Sequence, residues 1–456
     1  MHKDRLEELV EKPAELLDAG VTEAERFEKE LISKKPFAIA KEYWNNLGPG
    51  LTTGASDDDP SGITVYSQTG AQYGFRFLWL AVFTFPLMAV VQEMCARIGL
   101  VTRKGLAANI KGAYSKRVLA VTTLLLVAAN VFNIGADFGA MAQGTQLLFP
   151  RASFLWLVLF FGSVSLLLQV FTTYARYATY LKYLALVLLS YVASALFIHF
   201  DWHALLRHAV IPHMQFSKNE LLLVCGILGT TISPYLFFWQ TSQEVEEGIL
   251  KGEKTIHARH AAARPRVIRK MRTDVWVGMF LSNLVMFFII AACAATFSAH
   301  GITTVASAAD AALALRPFAG NFAYGLFAIG IIGTGMLAIP VLAGSASYAV
   351  SESMGWKFGL YRKLKSAYAF YGVIIIAMVL GMVFNFLGLD PIKALIYSAV
   401  ANGVIAPVIL FFIVRLSGDK KLMGKHANRP IVAAIGWVVT ALMTLAGIAA
   451  VVSIFV

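Results

Sequence analysis

The sequence predicts an all-α integral membrane protein, and three features support that fold class. Of the 456 residues, 58% are hydrophobic and only 14% are charged, which is more apolar surface than a soluble domain of this length buries. Apolar runs of about twenty residues, the length that crosses a bilayer, recur from residue 75 to the C-terminus. Two membrane segments also carry a proline among polar residues, one in each half of the chain. Together these features predict a bundle of eleven transmembrane helices.

Ten of the eleven predicted helices are apolar runs, and a broken segment around Asp59 is the other. The apolar runs are Phe75–Gly99, Val118–Phe149, Phe154–Phe171, Ala178–Phe200, Leu221–Trp239, Val275–Phe297, Phe318–Val350, Ala367–Phe386, Ile392–Val414 and Ile431–Val456.

The distribution of charge predicts which ends lie in the cytoplasm. Most of the 39 Lys and Arg fall in the N-terminal segment and in loops on the same side, above all the basic loop Gln240–Asp274. By the positive-inside rule we expect the N-terminus inside and the C-terminus outside, in a cell inner membrane or plasma membrane. The net charge of +12 therefore needs no nucleic-acid partner, and the expected partners are the lipid bilayer and the transported ion.

The chain divides into four predicted parts. Residues 1–41 form a polar cytoplasmic segment without the apolar core of a signal peptide, and it either lies on the membrane surface or is flexible. A first five-helix repeat occupies residues 42–200 and a second occupies 219–414, with the eleventh helix at 430–456. Repeats with an odd number of helices start on opposite sides of the membrane, so the second repeat must be inverted.

The first interrupted helix carries Asp57, Asp58 and Asp59 followed by Pro60 and Gly62. A carboxylate at bilayer depth is costly unless something compensates its charge. The proline removes a backbone donor, so the helix should break there and expose carbonyl oxygens. Carboxylates beside unwound carbonyls predict a hard cation site, and an acidic loop between two helices is the alternative interpretation.

The second interrupted helix lies five helices later. Within Leu221–Trp239, Pro234 again deletes a donor, and Thr230, Thr231 and Ser233 supply hydroxyl oxygens. Alone, such a patch is typical of a tolerated kink. Its position matches that of Asp59-Pro60 in the other half, which favours two breaks that meet at the middle of the membrane.

Other polar residues lie within the apolar runs. Asn130, Asn133 and Asp137 share one face of the third predicted helix, where they either join helices or line a pathway. Glu93 and Arg97 are four residues apart, which predicts a local ion pair. Glycines of the eighth helix, from Gly330 to Gly344, predict close helix packing.

Several other functional classes lack support in the sequence. The three cysteines share no ligand-like spacing, so neither a disulfide framework nor a zinc site is expected. The GxxxxGK[ST] pattern of a P-loop does not occur, and no catalytic residue is assigned, so we expect a carrier and not an enzyme. No cofactor is expected beyond the transported ion, and the chain is expected to be a monomer.

Three stretches resemble the Nramp family of divalent-metal transporters. Gly48-Pro49-Gly50 followed by Asp59-Pro60 has the spacing of the family's first helix, GPxxxxxxxxxDPGN. The run Gln92–Ala107 is similar to its QxxAARLGVVTGxDLA, and Ala343-Gly344 with Met354-Gly355 resembles its eighth helix. The resemblance implies a LeuT-type 5+5 inverted repeat with discontinuous first and sixth helices.

The resemblance also implies a metal site, and this chain departs from it in informative ways. Asp59 keeps the family's ligand position, whereas Gly62 replaces an Asn ligand and Ser233 replaces a Met thioether. Thr230 stands where Ala offers a carbonyl, and Ala399 where a Gln reaches the metal. The predicted metal residues are thus Asp59, Gly62, Thr230, Ser233, Asp58 and Asp57. Smaller residues and an all-oxygen set favour hydrated Mg²⁺ in a roomy cavity over softer metals.

Family positions linked to proton movement are changed as well. Tyr235 and Gln240 replace two histidines, and Ala140 replaces an acid, so that no carboxyl or imidazole group survives at these positions except Asp137. The chain therefore resembles the Nramp-related magnesium transporters, which implies import of Mg²⁺, and of Mn²⁺, by alternating access without proton coupling. The alternative is a proton-coupled Mn²⁺/Fe²⁺ Nramp transporter. A channel and an amino-acid symporter fit the two acidic or polar breaks less well. Eleven helices without an attached signalling domain disfavour a metal sensor.

Overall fold

The computed structural model describes residues 48–172, 174–198, 200–250, 265–298, 301–303, 308–388 and 391–455. Every regular element in these ranges is a helix, which confirms the all-α class. Eight helical segments are long and apolar enough to cross a membrane, and two shorter apolar helices accompany them. The total of eleven and the boundaries of the repeats stay predictions, and the predicted segment 1–41 lies outside the described residues.

Nine α-helices lie between residues 48 and 210, within the described part of the chain. They are α1 (Pro49–Asp57), α2 (Pro60–Tyr73), α3 (Trp79–Thr102), α4 (Leu106–Ala113), α5 (Lys116–Leu148), α6 (Phe154–Phe171), α7 (Tyr174–Leu184), α8 (Leu189–Leu196) and α9 (Trp202–Val210). Short 3₁₀ turns at Gly74–Phe77 and Ala185–Leu188 connect α2 to α3 and α7 to α8.

The second part of the chain continues with longer helices. They are α10 (Lys218–Thr231), α11 (Pro234–Leu250), α12 (Pro265–Thr296), α13 (Ala308–Met354), α14 (Tyr368–Phe384), α15 (Pro391–Gly418), α16 (Lys420–Met423) and α17 (Pro430–Phe455). Six of the described helices begin on a proline, whose missing N–H would have no partner in a first turn and whose fixed φ suits a helix start.

The predicted basic loop Gln240–Asp274 is mostly helical in its described part, which corrects the boundaries. Helix α11 continues to Leu250 and α12 starts at Pro265. Polar residues within α11 are buried against the protein: Glu246 accepts hydrogen bonds from the Tyr348 hydroxyl (2.6 Å) and the Leu360 N–H (2.8 Å). Composition placed the helix end too early because it does not reveal such partners.

Helix α12 positions both halves of the first broken helix. The Asp274 carboxylate accepts hydrogen bonds from the N–H groups of Gly48 (2.7 Å), Gly50 (2.7 Å) and Leu51 (3.1 Å), and so caps the start of α1. Further along, Gly54 and Gly278 allow the two backbones to touch, since an added Cβ on Gly54 would lie 2.2 Å from the Gly278 carbonyl oxygen. Helix α12 therefore caps the start of α1 and packs closely against it.

Replacing Gly54 with alanine tests this close contact. The new methyl group meets backbone atoms, which cannot rotate away, so we expect a loss of about 1–3 kcal/mol of stability. Gly112→Ala is the matched control, because a Cβ there meets nothing within 4 Å. Thermal unfolding of the detergent-solubilised protein should show a lower midpoint for Gly54→Ala alone. Equal midpoints for Gly54→Ala and wild type would contradict the contact.

Two predictions about buried packing are confirmed. Glycines of α13 sit against large side chains of other helices, Gly330 against Tyr191 and Gly344 against Trp239. The Glu93–Arg97 pair forms at 3.4 Å, and the Glu93 carboxylate also accepts from Arg272 at 2.8 Å. The ion pair is thus a junction between α3 and α12 and not a feature of one helix.

Candidate functional site

The first broken helix is interrupted as Pro60 predicts. Helix α1 ends at Asp57, α2 begins at Pro60, and Asp58 and Asp59 form the connection. The three carboxylates are 0%, 0% and 2% exposed in chain order, so the acidic segment lies inside the protein and is not a surface loop. This excludes the alternative of an exposed acidic loop.

Asp59 is the most fully bonded of the three aspartates. Its Oδ1 accepts hydrogen bonds from the Ser61 hydroxyl (2.5 Å) and the Gly62 N–H (2.8 Å), which makes it the N-cap of α2. Its Oδ2 accepts from the Asn133 side-chain amide of α5 at 2.8 Å. These donors orient the carboxylate and stabilise its charge. Oδ1 already accepts two hydrogen bonds, whereas Oδ2 accepts one and retains a lone pair for a cation.

Asp57 and Asp58 accept fewer hydrogen bonds than Asp59 does. The Ser282 hydroxyl of α12 donates to Asp57 Oδ2 at 2.8 Å, and Asp57 Oδ1 has no hydrogen-bond partner among the described residues. Neither oxygen of Asp58 accepts a hydrogen bond there, although Ser282 lies nearby. Both residues are buried, and Asp58 is part of the break itself.

The second broken helix is interrupted as Pro234 predicts. Helix α10 ends at Thr231 and α11 begins at Pro234, with Ile232 and Ser233 between them. The Ser233 hydroxyl donates to the carbonyls of Gly229 (2.7 Å) and Thr230 (2.6 Å), and the Thr230 hydroxyl donates to the Ile227 carbonyl (3.0 Å). The Thr230 carbonyl has no helical N–H partner because Pro234 lacks one, and the Ser233 hydroxyl lies within hydrogen-bond distance of it. The oxygens of both hydroxyls can still accept a hydrogen bond or coordinate a cation.

Two tyrosines bring the breaks together. The Tyr66 hydroxyl of α2 lies 3.3 Å from the Thr230 hydroxyl of α10, and the Tyr235 hydroxyl of α11 donates to the Ser56 carbonyl of α1 at 2.7 Å. Each half of one broken helix therefore contacts a half of the other. The predicted pairing of the two breaks is present in the fold.

The space beside the small residues is narrower than we expected. A Cβ on Gly62 would lie 3.3 Å from the Tyr66 hydroxyl, so the phenol occupies part of the room that the glycine leaves. Ala399 is fully buried, and its Cβ faces Gly226 of α10. The roomy cavity expected from Gly62 and Ala399 is filled at these two positions.

The predicted polar face of α5 serves two purposes. Asn130 donates to the Leu342 carbonyl of α13 (2.9 Å) and so joins helices, whereas Asn133 reaches Asp59. One turn further, Asp137 is fully buried, and neither of its oxygens has a hydrogen-bond partner within the described parts of the chain. The side chain at Gln240 donates to Glu244 at 3.0 Å, within α11.

Three contributors to the site were not among the predicted metal residues. Asn133 carried a visible signal, its place on a polar helix face, but Asp137 was favoured over it. Ser282 and Ser398 carried no such signal in the sequence. The Ser282 hydroxyl donates to the Asp57 carboxylate, and the Ser398 hydroxyl donates to the Asn133 amide oxygen. A single serine in an apolar run is common, and only the packing of α12 and α15 brings these two to the break.

The six predicted metal residues do not form a cluster of acids. Across the described ranges, no group of three His, Cys, Asp or Glu side chains is arranged to hold a metal ion. The consecutive aspartates point to different neighbours, Asp57 to α12 and Asp59 to α5. A cation at the breaks would therefore be held by one or two carboxylates with amide, hydroxyl and carbonyl oxygens, a set that suits hard divalent ions.

The fold defines a class of membrane carriers built around two broken helices. Solved structures share it: the manganese transporter of Eremococcus coleocola aligns with a TM-score of 0.70 at 19% identity, covering 91% of this chain and 88% of that one. Mhp1, a nucleobase-cation-symport-1 family transporter, aligns with a TM-score of 0.56 at 14% identity, covering 90% and 91%. The LeuT-type fold is confirmed.

Sequence comparison identifies the family. The Nramp family, described as natural resistance-associated macrophage protein-like, matches residues 50–453, and the chain belongs to it. The divalent metal cation transporter MntH of Aeromonas hydrophila is 26% identical over 409 residues, which cover 87% of this chain and 93% of the relative. MntH of Klebsiella pneumoniae is also 26% identical, with 87% and 91% covered.

Proposed function

We propose that the protein imports divalent cations, Mg²⁺ and also Mn²⁺, by alternating access and without proton coupling. Transport of divalent metals is supported by membership of the Nramp family and by relatives named as divalent metal and manganese transporters. The finer proposal, that the chain is an Nramp-related magnesium transporter, depends on its own residues at the two breaks.

The observation that carries the proposal is the oxygen character of the paired breaks. The Asp59 carboxylate, oriented by Asn133, lies on one broken helix, and the hydroxyls of Thr230 and Ser233 lie on the other. Ser233 stands where the family resemblance implies a thioether. Oxygen ligands favour Mg²⁺ and Mn²⁺, whereas a thioether favours softer, later metals.

The absence of proton coupling is proposed from three substitutions and from energetics. Tyr235, Gln240 and Ala140 stand at positions that the resemblance links to proton movement, and none has a carboxyl or imidazole group. An inward-moving divalent ion gains about 4.6 kcal/mol per 100 mV of membrane potential, since each charge gains about 2.3 kcal/mol. The membrane potential is thus a sufficient driving force.

One observation favours the alternative, a proton-coupled Mn²⁺/Fe²⁺ transporter. Asp137 is buried one turn from Asn133, and its oxygens have no hydrogen-bond partner in the described structure. A buried carboxyl without a partner favours the protonated form, and such a group is suited to carry a proton. The two proposals differ in whether metal entry brings protons with it.

Acidification of proteoliposomes distinguishes them. We expect Mg²⁺ and Mn²⁺ entry to leave the internal pH unchanged when a trapped dye reports pH and ionophores clamp the membrane potential. The Eremococcus coleocola manganese transporter provides a structural relative for side-by-side comparison. Metal-dependent acidification that Asp137→Asn abolishes would replace the uncoupled mechanism with the coupled one, and absence of any metal entry would refute both.

The remaining parts of the proposal concern the setting. We propose a monomer in a cell inner membrane or plasma membrane, with the N-terminus inside and the C-terminus outside, following the distribution of Lys and Arg. Mg²⁺ or Mn²⁺ is the substrate, and no further cofactor is proposed. Cysteine accessibility at engineered sites in α4 and α9 tests the orientation.

A further inference from the structure

A relay of two hydrogen bonds lies behind Asp59 and joins three helices. The Asn133 amide of α5 donates to Asp59 Oδ2 at 2.8 Å, and its own oxygen accepts a hydrogen bond from the Ser398 hydroxyl of α15. None of the three residues is more than 2% exposed. Oδ2 is also the Asp59 oxygen that retains a lone pair for a cation. Ser398 therefore reaches the predicted metal ligand indirectly, through one amide.

The chemistry of the groups fixes the direction of both hydrogen bonds. An ionised carboxylate only accepts, so the Asn133 NH₂ group must face Asp59 and the amide oxygen must face away. That oxygen needs a donor, and the Ser398 hydroxyl supplies one. If the amide turned over, its oxygen would lie against the carboxylate, and two acceptors cannot form a hydrogen bond. Ser398 is thus one of the two contacts that select the correct orientation of the amide.

Ser398 uses its hydroxyl differently from other serines buried in apolar helices. Ser345 and Ser417 donate to a carbonyl about one turn earlier in their own helix, which is a common local partner of a helical serine. Ser398 donates instead to Asn133, on another helix. Its hydroxyl proton is therefore directed at the relay that supports Asp59.

Backbone contacts hold the helix around Ser398 in place. The next residue, Ala399, lies so close to α10 that a Cβ on Gly229 would be 2.1 Å from the Ala399 carbonyl oxygen. About one turn further, a Cβ on Gly403 would be 2.5 Å from the Cys225 carbonyl oxygen. Helix α15 thus packs backbone to backbone against one half of the second broken helix. The serine hydroxyl is presented from a rigid element, as the positioning of a ligand requires.

We propose that Ser398 is a positioning residue for metal binding. It holds the Asn133 amide with the NH₂ group towards Asp59, and Asn133 in turn holds the carboxylate oxygen that binds the cation. Neither Ser398 nor Asn133 contacts the cation, so Asn133 is a donor to a ligand and not a ligand itself. This inference rests on the proposed function, because it takes Asp59 as a ligand of a divalent metal ion. Groups that orient metal ligands typically contribute about 10–100-fold to affinity.

Removing the hydroxyl tests the proposal. In Ser398→Ala we expect the dissociation constant for Mn²⁺, measured by titration calorimetry on the purified full-length protein, to rise about tenfold. Uptake of Mn²⁺ and Mg²⁺ into proteoliposomes should show a higher KM and an unchanged maximal rate, because only binding is weakened. Ser398→Cys, which has a weaker donor, is the second variant if Ser398→Ala fails to fold. Unchanged or tighter binding in the folded variant would overturn the role of Ser398, because Asn133 would then keep its orientation alone or turn over to become a ligand.

A second pair of serine and asparagine on the same helix provides the matched control. Asn130 lies about one turn before Asn133 on α5, and its amide donates to the Ser345 hydroxyl of α13 at 2.7 Å. Ser345→Ala should lower the midpoint of thermal unfolding about as much as Ser398→Ala does, and it should leave the affinity for Mn²⁺ unchanged. Equal losses of affinity in the two variants would mean that α5 has only loosened, and would overturn the proposal.

A double variant tests whether the effect of Ser398 passes through Asn133. Asn133→Ala already removes the amide, so adding Ser398→Ala should weaken metal binding no further. Losses of affinity that add in the double variant would show that Ser398 acts by another route, and would overturn the relay. Wild-type protein that neither binds nor imports a divalent ion would refute the proposed function and this inference together. Normal import by the wild type with an unaffected Ser398→Ala variant would refute this inference alone.

Discussion

Replacing Asp59 with alanine is expected to lower Mg²⁺ and Mn²⁺ uptake by about 100-fold or more, because even partners of metal ligands contribute about 10–100-fold. Asp59 is the acid retained at the family's ligand position. Three donors, from Ser61, Gly62 and Asn133, hold its carboxylate in place. The measurement is uptake into proteoliposomes at a fixed membrane potential, with folding checked by thermal unfolding.

Asp59 also caps α2, so the alanine variant alone does not separate metal binding from helix stability. Asparagine caps a helix about as well as aspartate does, because its side-chain oxygen accepts the same N–H. Asp59→Asn therefore keeps the cap and removes the charge. We expect it to fold normally and to transport as poorly as Asp59→Ala; uptake near the wild-type rate would reduce Asp59 to a structural role.

Variants of neighbouring residues show how much each of the other side chains at the break contributes to metal binding. Asn133→Ala should weaken apparent metal affinity by about 10–100-fold, because it removes a donor that orients the ligand. Asp57→Asn should have a smaller effect, since Ser282 already engages one of its oxygens away from Asp59. An Asp57 variant as damaging as Asp59→Ala would shift the centre of the site towards α12.

The two breaks were predictable from the sequence because their cause is local. Proline lacks an N–H wherever it stands, and carboxylates or hydroxyls beside it identify Asp59-Pro60 and Ser233-Pro234 without knowledge of their neighbours. Their matching positions in the two halves of the chain then predicted that the two breaks meet, and the contacts of Tyr66 and Tyr235 join them in the structure.

The surroundings of the breaks were not predictable in the same way. Asp274 was assigned to a loop, yet it lies within α12 and caps α1. The sequence could not show this, because its three partners lie more than 220 residues away in the chain. Ser282 and Ser398 have the same explanation: nothing in a sequence window shows which face of a helix meets a distant segment. The room around Gly62 was misjudged because Tyr66, one helical turn later, folds back into it.

Changing Ser233 to methionine is expected to raise the ratio of Mn²⁺ to Mg²⁺ uptake by about tenfold, which needs only about 1.4 kcal/mol. The thioether is a soft ligand that Mn²⁺ tolerates better than Mg²⁺ does, and its bulk displaces water that Mg²⁺ releases reluctantly. Ser233→Leu is the matched control, because leucine has a similar volume without sulfur. The measurement is competition between the two ions in one uptake assay.

Adding Gly62→Asn to Ser233→Met should rebuild more of a transition-metal site, and the structure shows what this requires. A side chain at residue 62 meets the Tyr66 hydroxyl at 3.3 Å, so Tyr66 must move and its contact with Thr230 must lengthen. We therefore expect the double variant to prefer Mn²⁺ more strongly than Ser233→Met does only when Tyr66 is also replaced by alanine.

If Ser233→Leu shifts the ratio of Mn²⁺ to Mg²⁺ uptake as far as Ser233→Met does, cavity volume and not ligand chemistry sets selectivity. If none of these folded, active variants changes the ratio, selectivity does not depend on residues 62 and 233.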